Sequence, residues 1–203
     1  MTVGSDAATP PELRAADLGA RLRELRKAAH ISASELARRL DISVSAVSQI
    51  ERGAMQPSVT RLIAICEVLG VPLADVFEVD DRTATIPRGH PEHYLLSRAG
   101  SSAPVVLADG VIFRRLSPAH SGDVDFFEST YPPGATASEA RHLVSHQGYE
   151  VGTVTSGVLT IEFETERVSL GAGDSISFPC DTPHLLSNEG LVPAVATWLI
   201  VHA

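Results

Sequence analysis

His146, Glu150 and His184 are the residues of this chain whose types and spacing could hold a metal. Two imidazoles and a carboxylate can fill three facial positions of a divalent cation and leave others open, a donor set that suits Zn, Fe, Mn or Ni. His146 and Glu150 stand four apart, so an extended backbone puts both on one side. His184 follows a turn and opens a short β-prone run. The competing reading is a polar pocket wall that holds no metal. An inward glutamate needs a partner, and a cation would supply one. Tyr131, Arg141, Tyr149 and Trp198 are further inward candidates, either lining an organic-ligand pocket or packing a core. His142 shares the parity of His146 and could reach the same site. The other histidines (His30, His90, His93, His120 and His202) lack ligand spacing and read as ordinary polar residues.

A second group of residues could read nucleic acid. In the segment from Ser32 to Gly53, SASELARRLDISVSAVSQIERG, Ser43 can cap a short helix that exposes Val44, Ser45, Ser48 and Gln49. Gln49 carries a donor and an acceptor that fit the N6/N7 edge of adenine, and Val44 could touch a thymine methyl. The alternatives are solvent-exposed serines and a valine that packs at the helix start. Arg38, Arg39, Arg52 and Arg61 are phosphate candidates, against a competing role in solubility. The helix beginning at Ser58 can point free amides at a phosphate.

These side chains need elements to position them. Leu18, Leu22 and Leu25 mark a first helix over 18–29, with Arg21, Arg23, Arg26 and Lys27 off its apolar face. Ser32 and Glu35 form a capping box ahead of Leu36, Ala37 and Leu40. Asp41-Ile42 makes the turn, and Val47 and Ile50 face inward from the next helix, which ends at Gly53. Pro57-Ser58 opens a fourth helix with a buried stripe of Leu62, Ile65, Cys66 and Leu69, and Pro72 opens a fifth through Phe77. After Glu78 the pattern changes to short β-prone runs: GVIFRRL, VDFFESTY, EVGTVT, VLTIEF, RVSL, SISFP and AVATWLIV. Gly- and Pro-rich turns between them predict an antiparallel sandwich or barrel. The expected divisions are a loose tail over 1–12, a helical domain over 13–78, a linker with entry strands over 79–102 and a β domain over 103–203.

The 203 residues suffice for two small domains, and the 44% apolar content excludes general disorder. No apolar run approaches the roughly 20 residues that span a bilayer. The N-terminus lacks the basic-then-apolar order of a secretory signal, and Cys66 and Cys180 read as reduced thiols, so a cytoplasmic location is expected. Net charge is −9, but nine basic residues face five acidic ones between Arg14 and Arg61, whereas seven face fifteen from Val79 onward. Only the first part suits a polyanion.

The stretch from LRELRKAAH to LADVF resembles the phage-repressor (XRE-type) helix-turn-helix family, with Asp41 in the turn where that family usually has Gly. His146, Glu150 and Gly157 resemble the first motif of the cupin family, and Gly173, Pro179, His184 and Asn188 resemble the second. Val144 stands where the cupins often place another His, and Asp181 where they usually have Gly. The resemblance implies an all-α five-helix repressor-like bundle followed by an all-β cupin (double-stranded β-helix, jelly-roll) barrel. It further implies a homodimeric transcriptional regulator that binds double-stranded DNA and whose barrel senses a small-molecule effector or a divalent metal, with no membrane partner and no catalysis. The alternative it leaves is a non-haem metal-dependent cupin enzyme of oxygenase or epoxidase type. A barrel serving only for dimerisation is a third.

Overall fold

A computed structural model describes residues 15–77, 96, 98, 102–117 and 124–202. The expected tail and nearly all of the expected linker lie outside the described residues, as do His90, His93 and His120. The helical part contains α1 (Ala15–Ala28), α2 (Ala33–Arg39), α3 (Val44–Glu51) and α4 (Val59–Leu69). The expected fifth helix is instead a 3-10 segment, Leu73–Phe77. Only five residues lie between Pro72 and Glu78, too few for a stable α-helix without further turns.

Local chemistry sets these boundaries. The hydroxyls of Ser32, Ser43 and Ser58 accept hydrogen bonds from the amides of Glu35, Ala46 and Arg61, capping α2, α3 and α4. The capping box at Ser32 is only half made. The Glu35 carboxylate turns away to Arg38 and Arg39, whose two guanidinium groups attract it more strongly than a single amide does. Asp41 takes a φ of 52° in the turn between α2 and α3, a left-handed conformation that a short polar side chain tolerates.

Among the described residues the β part holds nine strands in two antiparallel sheets: β1 (Val105–Val106), β2 (Ile112–Arg115), β3 (Val124–Tyr131), β4 (Tyr149–Ser156), β5 (Val158–Phe163), β6 (Arg167–Gly171), β7 (Ser175–Pro179), β8 (His184–Ser187) and β9 (Ala194–Val201). The larger sheet runs β1-β2-β3-β9-β4-β7 and the smaller β6-β5-β8. Alternation is strict in β9, where Ala194, Ala196, Trp198 and Ile200 are buried between partly exposed neighbours. Trp198 pairs across to Phe127 on one side and Gly152 on the other. Its ring covers Gly152 so closely that a Cβ there would lie 2.0 Å from it. The indole N–H donates to the Ser129 hydroxyl at 2.9 Å, so the only tryptophan is buried with its polar atom satisfied.

The two parts share one core. Phe77 stacks with Phe113 and packs at a tilt against Phe127, its ring centroid 5.3 Å from that of Phe127. The Thr60 amide donates to the Ala137 carbonyl, and the Ala108 amide to Pro57, both at 3.0 Å. The helical unit thus docks on the β unit through the first turn of α4 and the segment after it.

Candidate functional site

The outer face of α3 is open. Val44, Ser45 and Gln49 are exposed and Ser48 is half-buried, while Val47 and Ile50 anchor the inner face. Two features fix how α3 projects. Gly19 of α1 lies against the Ile50 carbonyl, where a Cβ would stand 2.4 Å from the oxygen. Arg26 holds both carboxylate oxygens of Glu51, at 2.5 and 2.9 Å, and donates to the Ile31 carbonyl. Expected on the surface, Arg26 is buried: it continues the series Leu18, Leu22, and that i, i+4 spacing was the available signal.

The expected phosphate contacts divide. Arg38 and Arg39 are exposed and share Glu35, which they hold near a pKa of about 2. Arg52 donates to the Ser48 hydroxyl at 2.6 Å along the outer face of α3. Arg61 is half-buried and donates to the Leu40 carbonyl, locking the α2–α3 turn to α4. Ser58 departs from expectation: it is buried, the adjacent Thr60 amide is bound to Ala137, and the start of α4 faces the β unit.

In the β unit the candidate ligands converge. The donor atoms of His146, Glu150 and His184 all lie within 4.8 Å of one another, with Glu150 and His184 buried and His146 half-buried. Glu150 enters from β4 and His184 from the start of β8. His146 comes from the irregular approach to β4, held by its amide to the Cys180 carbonyl. The Nδ1 of His184 lies 2.8 Å from the Thr182 carbonyl, which can only accept, so that nitrogen carries the proton and Nε2 offers its lone pair. The Nδ1 of His146 is oriented likewise by the Gln147 carbonyl at 3.1 Å. The Phe178 ring packs edge-on against His184, with centroids 4.9 Å apart. Burial lowers the pKa of both histidines and raises Glu150 to about 7. Neutral imidazoles beside a carboxylate whose Oε2 lies 3.8 Å from His184 Nε2 form a donor set suited to a divalent cation, which would draw the proton off Glu150.

Other expectations for the pocket fare unequally. Tyr131 and Trp198 are buried and line the chamber, and the Tyr131 hydroxyl has no partner among the described residues. Tyr149 faces outward, as it must beside the inward Glu150, and its hydroxyl donates to Ser177. Arg141 is exposed, at φ 52°, and pairs with Glu189. His142 is exposed too; the chain there is not a strand, so shared parity with His146 carries no meaning. Val144 lines the chamber instead. His202, expected to be unremarkable, places Nε2 2.9 Å from the buried Asp125 carboxylate. Cys180 is fully buried, and burial pushes its thiol up to about 12, so it is a quiet thiol.

The chamber around the three ligands has room for about 30 Å³, and α4 forms its lid through Val59, Thr60 and Ile63. A wall supplied by the other unit has no signature in local periodicity.

Known proteins divide the chain in the same way. The profile of the helix-turn-helix family matches residues 22–76, and that of the cupin domain family matches residues 127–200. The chain is 29% identical over 175 residues to the HTH-type transcriptional regulator PuuR of Escherichia coli (strain K12), covering 84% of this chain and 86% of the relative. The PuuR of Shigella flexneri matches to the same extent. Among solved structures, an HTH_3 family transcriptional regulator from Vibrio cholerae superposes with a TM-score of 0.66 at 21% identity, covering 94% of this chain and 97% of that one. The protein therefore joins an XRE-type helix-turn-helix domain to a C-terminal cupin domain.

Proposed function

We propose that the protein is a sequence-specific DNA-binding transcriptional regulator, and that its cupin domain senses a divalent metal or a small molecule. The observation that carries this reading is the open outer face of α3 combined with α4 as the lid of the His146–Glu150–His184 chamber. Gln49, Val44, Ser45 and Ser48 contact base edges, and Ser43 sets the start of the helix that presents them. Arg38, Arg39 and Arg52 meet phosphates, with Arg61 bracing the turn. The kinship with PuuR over most of both chains supports the regulatory reading.

His146, Glu150 and His184 would hold Zn, Fe, Mn or Ni, which would supply a fixed positive charge and a rigid cross-link between β4 and β8. The protein acts as a homodimer, because two recognition helices must meet half-sites about one turn of DNA apart. An effector works by favouring one spacing of the two helices over another. Its site of action is the cytoplasm, with DNA; among the described residues no helix is long and apolar enough to cross a membrane. The protein is not an enzyme in this reading, in keeping with its kinship to a transcriptional regulator.

Selection of a random duplex library by the full-length protein tests the proposal. Enrichment of a two-fold-symmetric site, with binding that weakens steeply as salt rises, is the expected result. Recovery of no sequence overturns it.

A further inference from the structure

Tyr131 is the last inward-facing residue of β3, fully buried in the wall of the chamber that gathers His146, Glu150 and His184. Its hydroxyl has no hydrogen-bond partner among the described residues. The other polar side chains of that wall are accounted for. The Trp198 indole N–H donates to Ser129, and the Thr60 hydroxyl lies 3.2 Å from that of Ser58. The Nδ1 atoms of His146 and His184 each face a carbonyl, which leaves their Nε2 atoms and the Glu150 carboxylate for a cation. What remains is one phenol donor among apolar side chains such as Phe113, Val144 and Leu186. A buried hydroxyl left unpaired is costly, so the position calls for an acceptor. Burial, with a smaller contribution from the Glu150 carboxylate, pushes the phenol well above its ordinary value, so it keeps its proton and can donate it to a hydrogen bond.

Charge gives the acceptor its sign. A divalent cation held by two neutral imidazoles and a single carboxylate keeps an uncompensated positive charge, which is unfavourable in an apolar surrounding. A monoanion on the open side of the cation cancels it. We propose that Tyr131 is the anion-binding residue of the chamber: its hydroxyl donates to a small monoanion that fills the open side of the cation. Room of about 30 Å³, against roughly 10–15 Å³ for a water, suits an anion of roughly two or three heavy atoms. The inference deepens the regulatory reading by naming a ligand class for the same chamber, and it rests on the reading that His146, Glu150 and His184 hold a metal.

Full-length protein stripped with chelator and reloaded with Co²⁺ has a visible spectrum that reports the ligands of the metal, and azide, a linear monoanion, is the probe. The expected result is a saturable spectral change in the wild type. In Tyr131→Phe, at equal cobalt content by elemental analysis, the azide affinity should be about tenfold weaker, as loss of a hydrogen bond to a charged acceptor implies. A second readout separates this role from a structural one. In urea denaturation without metal, Tyr131→Phe should be at least as stable as the wild type, because it deletes a buried hydroxyl that has no partner. A metal-free variant that is less stable, or that fails to fold, would overturn the proposal. Cobalt-loaded wild type that ignores azide, or equal azide affinity in the two proteins, would overturn this inference alone. A wild type that takes up no cobalt would overturn it together with the metal site.

Discussion

The amide of Thr60, in the first turn of α4, donates to the carbonyl of Ala137 in the cupin domain at 3.0 Å. One side of α4 packs on the helices that carry α3, and the other closes the chamber of His146, Glu150 and His184. On the proposed function, α4 is the element that would carry a change in that chamber to α3. Replacing Thr60 by Pro deletes this donor at a position that has no acceptor inside its own helix. The variant should still bind duplex DNA, but its affinity should no longer respond to divalent metal. Fluorescence anisotropy with and without metal measures this, and a full wild-type response in the variant would rule out the coupling route.

Gly19 allows α1 and α3 to touch. A methyl group there meets the Ile50 carbonyl at 2.4 Å and the Glu51 backbone at 2.9 Å, neither of which can yield without moving α3. Gly19→Ala should cost about 1–3 kcal/mol in urea denaturation, as overpacking does. It should also reduce DNA affinity in the molecules that remain folded. A variant as stable as the parent, with equal affinity, would mean that the helices separate freely.

Gln49 stands exposed in the middle of α3, with its nearest side-chain partner, the Ser45 hydroxyl, a loose 3.5 Å away. Gln49→Ala should relax discrimination at one base pair by about 1–3 kcal/mol while leaving other positions alone. Competition binding with single-position duplex variants gives the answer. An unchanged preference removes Gln49 from the residues that read sequence.

Glu150 yields a pH prediction. Burial raises its carboxyl from 4.5 to about 7 in the metal-free protein. The folded state then holds this proton more tightly than the unfolded chain, so the group's contribution is complete below pH 4.5 and is lost as pH rises through 7. The two histidines run the other way. Their pKa values are lowered from 6.5, so their contribution is present above that value and lost as pH falls through the folded values. Glu150→Gln removes the first effect and keeps the second. The metal-free variant should exceed the parent in stability at about pH 8, by at most on the order of 3 kcal/mol, and approach it near pH 4.5. It should also lose bound metal by elemental analysis. A stability difference that does not vary with pH would show that Glu150 is not desolvated.

Much of this architecture is written locally. Ser32, Ser43 and Ser58 mark three helix starts, because a cap depends on residues three apart. The β-prone runs become strands β2 to β7 and β9; His146, Glu150 and His184 do meet, although bends at Gln147 and Gly148 interrupt the extended backbone that the four-residue spacing assumed. β1 went unseen, being two residues long. The misplaced pocket residues have two different causes. Tyr149 adjoins Glu150, and strict alternation already excluded that both face inward. Arg141 and His142 fail because parity holds only where the backbone is extended, and theirs is not. Burial of Ser58, the pairing of Asp125 with His202 and the lid formed by α4 come from contacts distant in sequence, which no local pattern encodes.

The most direct test of the account is the affinity of the full-length protein for its selected duplex, measured by fluorescence anisotropy with and without divalent metal, in the wild type and in Glu150→Gln. The account predicts a shift of about fivefold or more in the wild type, a typical coupling between two sites, and none in the variant. An equal response in both proteins, or a wild type whose duplex affinity ignores metal, would contradict it.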